Sequence, residues 1–203
     1  MGYQPNLLAS TLASKKTFTF ALLVPEPISA ESYWNKPLVG VKKAFDETHQ
    51  YGIKITIHQF GQTDPVRFKE EARLIIESNP DGVVLAPFFS RESKQFIAEL
   101  KERNTPYVFI DSNIKECEKL SYIGQDSFQS GTLAAKLLSY STPENSTILV
   151  LHFAKQLDNM NHLLQREKGF YEYFSKNGVA RKLLTKEIAN PTENESQNEI
   201  AEL

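Results

Sequence analysis

A small set of side chains in this sequence could do recognition chemistry: Tyr33-Trp34, Phe88-Phe89, Asp111, Asp126 and Arg166. Flat aromatic faces stack on the C–H faces of a sugar ring, while carboxylates and a guanidinium fork bond paired hydroxyls. Tyr33, Trp34 and Phe88 then serve as ligand-binding rings, and Asp111, Asp126 and Arg166 as hydroxyl partners. Each residue alone also has a plainer reading, the aromatics as core or interface and Asp111 as a turn former. The set gains weight because several of its members fall at one end of the expected sheet.

Signatures of catalysis are missing. The sequence has no G-x-x-x-x-G-K-[ST], no G-x-G-x-x-G and no G-x-S-x-G, so phosphate-loop and nucleophile-elbow readings lack support. His49, His58, His152 and His162 are scattered without a helical ligand pair, and each reads as a surface or packing residue rather than a zinc ligand. Cys117 sits between Glu116 and Glu118, whose charges disfavour a thiolate. We therefore expect neither an enzyme nor a metal or cofactor.

The elements that must position these residues alternate. Phe18–Val24 reads as a strand stopped by Pro25 and Pro27. Trp34, Leu38, Val41, Phe45 and Thr48 recur at helical steps, and Gly52 ends that helix. Strands are expected at 53–60, 82–86, 107–110, 122–123, 146–153 and 183–188. Helices are expected after Asp64-Pro65, an N-cap followed by proline, and at 91–103, 128–140 and 159–176. Strands joined through helices run parallel, with right-handed crossovers placing helices on both faces. The fold class is thus α/β, doubly wound, with candidate site loops at 25–34, 86–91, 111–116 and 153–159, beyond the carboxyl ends of strands.

Composition bounds the rest. The 203 residues carry 23 basic and 25 acidic side chains, a formal charge of −2. That balance offers no bulk attraction for nucleic acid, so any DNA contact is local. No run approaches the roughly 18 apolar residues of a membrane span, and no continuous apolar segment near the N-terminus reads as a secretory signal. A single cysteine fits a reducing cytoplasm. No acid precedes Glu26, and Asn6 could cap a short helix carrying Leu8 and Leu12, followed by Lys15 and Lys16. Two turns of helix need a partner to form. An apolar wedge flanked by lysines suits a minor groove, while a disordered leader is the plainer alternative.

Gly2-Tyr3-Gln4-Pro5-Asn6, Ala9-x-x-Leu12 and Lys15-Lys16-Thr17 resemble the linker and hinge helix of LacI-type bacterial transcription regulators. Further motifs follow in order: Pro25 to Trp34 at the first ligand loop, Asp111, Ile123-Gly-Gln-Asp126 with Gly131, and Arg166-x-x-Gly169-Phe170. The resemblance covers nearly the whole chain. It implies a linker and hinge at 1–16 and a two-lobed, periplasmic-binding-protein-like effector domain, with lobes at 17–112 and 113–203, the second incomplete. It also implies a sugar-like effector in the interlobe cleft and operator DNA met through Tyr3, Asn6, Ala9, Leu12, Lys15, Lys16 and a missing helix-turn-helix domain. A cytoplasmic homodimer without membrane attachment completes the expectation. Ser10 stands where the family commonly has arginine, and Tyr33-Trp34 where paired phenylalanines are usual. A sugar-binding protein feeding a transporter or receptor is the alternative.

Overall fold

The computed structural model describes residues 17–152, 161–178 and 181–187. The expected hinge residues Tyr3, Asn6, Ala9, Leu12, Lys15 and Lys16 and the loop at 153–159 lie outside them. The chain forms two compact units, one ending at Gly124 and the other beginning at Gln125.

The first unit holds β1 (Phe18–Pro25), α1 (Asn35–Thr48), β2 (Ile53–Phe60), α2 (Pro65–Ser78), β3 (Gly82–Leu85), α3 (Ser90–Glu102), β4 (Tyr107–Ile110) and β5 (Ser121–Ile123). Its sheet has the order β2-β1-β3-β4-β5 with every pairing parallel. The sheet therefore takes in residues 121–123, beyond the lobe boundary expected at 112.

Along β1 the side chains alternate between two cores, as the two-residue strand period demands. Ala21 and Leu23 join Phe68, Ile75, Phe96 and Leu100 on one face. Leu22 and Val24 join Trp34 and Ala86 on the other, with Leu38 and Val41 of α1 packed against them. Apolar contacts on both sides of one strand explain its unbroken apolar run and confirm the doubly wound reading.

Local signals mark the ends. A three-residue 3₁₀ turn, His49–Tyr51, follows α1 and closes on Gly52, whose φ of 78° is the left-handed form expected at a helix end. Asp64 caps α2 by accepting the Arg67 N–H at 2.9 Å, with Pro65 at the first helical position.

The second unit contains α4 (Ser127–Ser141), β6 (Thr147–His152), α5 (Asn161–Lys176) and β7 (Lys182–Glu187), with β6 and β7 paired in parallel. Its helices meet backbone to backbone. A Cβ on Gly131 would overlap the Arg166 carbonyl, and one on Gly169 would overlap that of Phe128. The Thr132 hydroxyl crosses the same seam to the Gly169 carbonyl at 3.3 Å. This close approach explains the glycine of the Arg166-x-x-Gly169-Phe170 motif: no other residue lets the helices touch.

Candidate functional site

In the first unit the strand order reverses direction between β1 and β3, the point where open α/β sheets bind ligands. The loop after β1 climbs through residues 26–34 to α1, fixed by the Asn35 side-chain amide, which donates to the Ser29 and Ala30 carbonyls at 2.8 and 2.9 Å. At its end Tyr33 and Trp34 pack edge to face, 5.3 Å apart. Trp34 is 4% exposed and its ring is committed to the core beneath the loop, whereas Tyr33 is 52% exposed. Of the expected pair, only Tyr33 presents an open ring for stacking.

Asp111 follows β4 in the left-handed region, φ 65°, a conformation that Asp and Asn adopt more readily than other side chains. Its backbone is tied down: its N–H donates to the Ile123 carbonyl at 2.9 Å, and its carbonyl accepts the Tyr122 hydroxyl at 2.8 Å. Its carboxylate accepts from the Ser112 hydroxyl at 3.3 Å and lies near enough to the Tyr33 phenol to act on it. Burial first, and then the Asp111 charge and hydrogen bond, push the Tyr33 phenol up to about 12. The geometry thus joins Tyr33, Asp111 and Tyr122, residues far apart in sequence. Tyr122 was not singled out by sequence, because a tyrosine on a three-residue edge strand carries no motif. Phe88 lies after β3 with its ring against Phe60 and Phe89, at 6.1 and 5.7 Å, and is only partly buried.

The second unit carries the other expected residues. Asp126 is the N-cap of α4, accepting the Gln129 N–H at 2.9 Å, and remains exposed. Arg166 donates to the Gln125 side-chain oxygen at 3.4 Å. It also lines a mainly apolar cavity of about 620 Å³ among α4, β6 and α5, whose polar lining includes His152, Glu167 and Glu187. His152 and Glu167 pair at 3.3 Å.

A further charged cluster was not foreseen. Glu71 on α2 is buried and held by His58 Nδ1 at 2.7 Å and by Arg67 at 2.5 Å. Expected as a surface or packing residue, His58 is the partner of a buried carboxylate, which would be costly to leave unpaired. Among the described residues no cluster of His, Cys, Asp or Glu could hold a metal ion, and no helix is long and apolar enough to cross a membrane.

A model of the periplasmic binding protein domain matches residues 20–203. The chain belongs to this family. Among solved structures it resembles a protein from Bacteroides fragilis described as a LacI transcriptional regulator, at 28% identity and a TM-score of 0.81, over 92% of this chain and 66% of that one. It also resembles GanP, a glucose-galactose binding protein from Geobacillus stearothermophilus, at 19% identity and TM-score 0.71, covering 92% of this chain and 64% of that one. A sugar-binding protein of a sugar ABC transporter from Bacillus halodurans gives 17% identity and TM-score 0.75, covering 91% and 60%. The chain thus spans about two thirds or less of the length of each of these proteins. No curated protein matches it.

Proposed function

We propose that this periplasmic binding protein domain binds a neutral or modified sugar as the effector-sensing part of a LacI-type transcription regulator. The observation that carries the reading is the meeting of Tyr33 and Asp111 at the carboxyl ends of β1 and β4. An open aromatic ring beside a fixed carboxylate is what a sugar's C–H face and hydroxyls require. Arg166, in the second unit, offers a guanidinium fork for further hydroxyls. Binding would shift the closure of the two lobes and, through residues 1–16, bias the hinge engagement of operator DNA, a coupling between two sites rather than a catalytic step. The regulator reading is supported by the hinge-like run Gly2 to Lys16 and by the likeness to the Bacteroides fragilis protein. A cytoplasmic homodimer belongs to the same proposal.

The likeness to a glucose-galactose binding protein and to the sugar-binding protein of an ABC transporter supports a second reading, in which the same site serves uptake or reception. Isothermal titration of the chain with D-glucose, D-galactose, D-fructose and D-allose tests the binding site common to both. We expect at least one sugar to bind, and Asp111→Asn to weaken it at least about tenfold, the loss of a charge-assisted hydrogen bond. No heat with any sugar would remove the proposal. Fusing Met1 to the helix-turn-helix head of a LacI-type repressor separates the two readings, since only a regulator yields sugar-dependent reporter expression.

A further inference from the structure

Alternate side chains of a strand point to opposite faces of its sheet. The cavity of about 620 Å³ in the second unit touches five consecutive residues of β6, from Ile148 to His152. It therefore runs along the edge of that strand rather than over one face. Among the described residues β6 pairs with β7 alone, so its other edge presents backbone N–H and C=O groups without a ladder partner. Ala134 and Leu138 of α4 and Leu164 and Phe170 of α5 make the apolar walls. A wholly apolar molecule would fill this groove and leave the strand's backbone unpaired, which costs as much as losing those hydrogen bonds. An extended peptide meets both demands, with its main chain on the strand and its alternate side chains against the walls.

Charge sets the direction of that peptide. His152 and Glu187 are the last residues of β6 and β7, and Glu187 is set back on β7, away from the free edge. Glu167 is taken by His152 at 3.3 Å. Arg166, its neighbour on α5, has one hydrogen bond among the described residues, to the neutral Gln125 side chain at 3.4 Å. The rest of the lining carries no charge. A guanidinium with donors to spare is the complement of a peptide's terminal carboxylate, and only a strand parallel to β6 brings its carboxyl terminus to that end. We propose that the second unit binds the apolar C-terminus of a partner polypeptide, added as a strand parallel to β6 with its carboxylate on Arg166. Two strands alone are marginally stable in water, so the added strand also steadies this unit. The proposal is independent of the carbohydrate reading, which is carried by Tyr33 and Asp111 in the first unit.

The test is fluorescence anisotropy of the full chain near neutral pH with the N-terminally labelled peptide Gly-Ser-Thr-Val-Thr-Val-Ile-Val. It is compared with its C-terminal amide and with a version carrying proline in place of the second threonine. The free acid should bind about tenfold more tightly than the amide, the value of a charge-assisted hydrogen bond. Proline, which removes a ladder donor, should weaken binding at least about tenfold. Ala134→Trp, at an exposed helix position, fills the groove and should weaken the peptide at least about tenfold at an unchanged melting temperature. Arg166→Gln should bring the acid down to the amide's affinity and leave the amide unmoved. No binding of the acid overturns the proposal, as does binding that ignores the proline or Ala134→Trp. Equal affinity of acid and amide overturns the assigned direction and with it the C-terminal partner. A chain that sediments as a dimer and does not take up the peptide gives the groove to a second copy, which also overturns it.

Discussion

In the first unit one buried cluster runs from Ala21 on β1 to Ile114 beyond β4, with Phe60, Phe68, Phe96 and Phe109 interleaved at its centre. In the second, Ala135, Ile148 and Phe174 form the buried cluster, while Leu133, Leu137, Leu164 and Leu184 stay exposed. The first unit is held by rings filling space between a sheet and its helices. The second is held by two helices whose backbones touch at Gly131 and Gly169. Removing volume should therefore hurt the first unit most, and adding it the second.

Phe68 is fully buried and packs edge to face on Phe60 at 4.9 Å. Phe68→Ala should cost about 3–5 kcal/mol in urea unfolding. A loss of under about 1.5 kcal/mol, the size seen for volume-conserving swaps, would mean that the ring cluster is not what holds this unit. Gly169→Ala puts a methyl group into the Phe128 carbonyl, and overpacking of this kind costs about 1–3 kcal/mol. Hydrogen exchange should quicken in α4 and α5 and stay unchanged in β1–β4. Equal acceleration in both units would erase the contrast drawn between them.

Helix caps provide a matched pair across the units. Asp64 and Asp126 each accept a backbone N–H at 2.9 Å, so Asp64→Ala and Asp126→Ala should each cost about 1 kcal/mol by thermal melting. The Asn variants keep the cap. A sugar affinity that falls with Asp126→Asn, at unchanged melting temperature, would add a ligand role to a residue the fold already uses.

The smallest effect concerns pH. The Tyr33 phenol is raised from 10 to about 12 by burial, then by the Asp111 charge and hydrogen bond. Folding thus favours the protonated phenol. Its stabilising contribution is fully present below about pH 10, the unfolded value, and is lost as pH rises through about 12. The melting-temperature gap between the protein and Tyr33→Phe should be flat below pH 10 and shrink between 10 and 12. A gap that stays constant across that interval would show that Tyr33 is not held by Asp111.

Much of this was legible in the sequence, for identifiable reasons. Strand and helix periods read true because most elements are amphipathic or apolar throughout, and the Asp64-Pro65 cap and the Gly52 stop are local signals that need no tertiary information. Residues whose roles depend on the third dimension were harder to place. Trp34 and Tyr33 are adjacent and both aromatic, yet one faces the core and the other solvent, a difference set by how the loop enters α1. Asp126 is spelled like a ligand residue and also serves as a cap, since N-caps and hydroxyl binders draw on the same carboxylate. Glu71 carries no motif: Arg67 reaches one of its oxygens from four residues back along the same helix, while only the fold brings His58 to the other. The Tyr122 hydroxyl reaches Asp111 because β5 pairs with β4, a register that no local motif announces.

The positive φ of Asp111 means that this position answers to two filters at once. A saturation library at Asp111 screened only for soluble expression should retain Gly, Asn and Asp, the residues that sit in the left-handed region at little cost. The same library sorted for ligand capture should retain Asp alone. The gap between the two survivor lists is a direct genetic reading of how much of one residue belongs to architecture and how much to recognition, and its Asp111→Asn members would be ready-made blanks for sensor calibration.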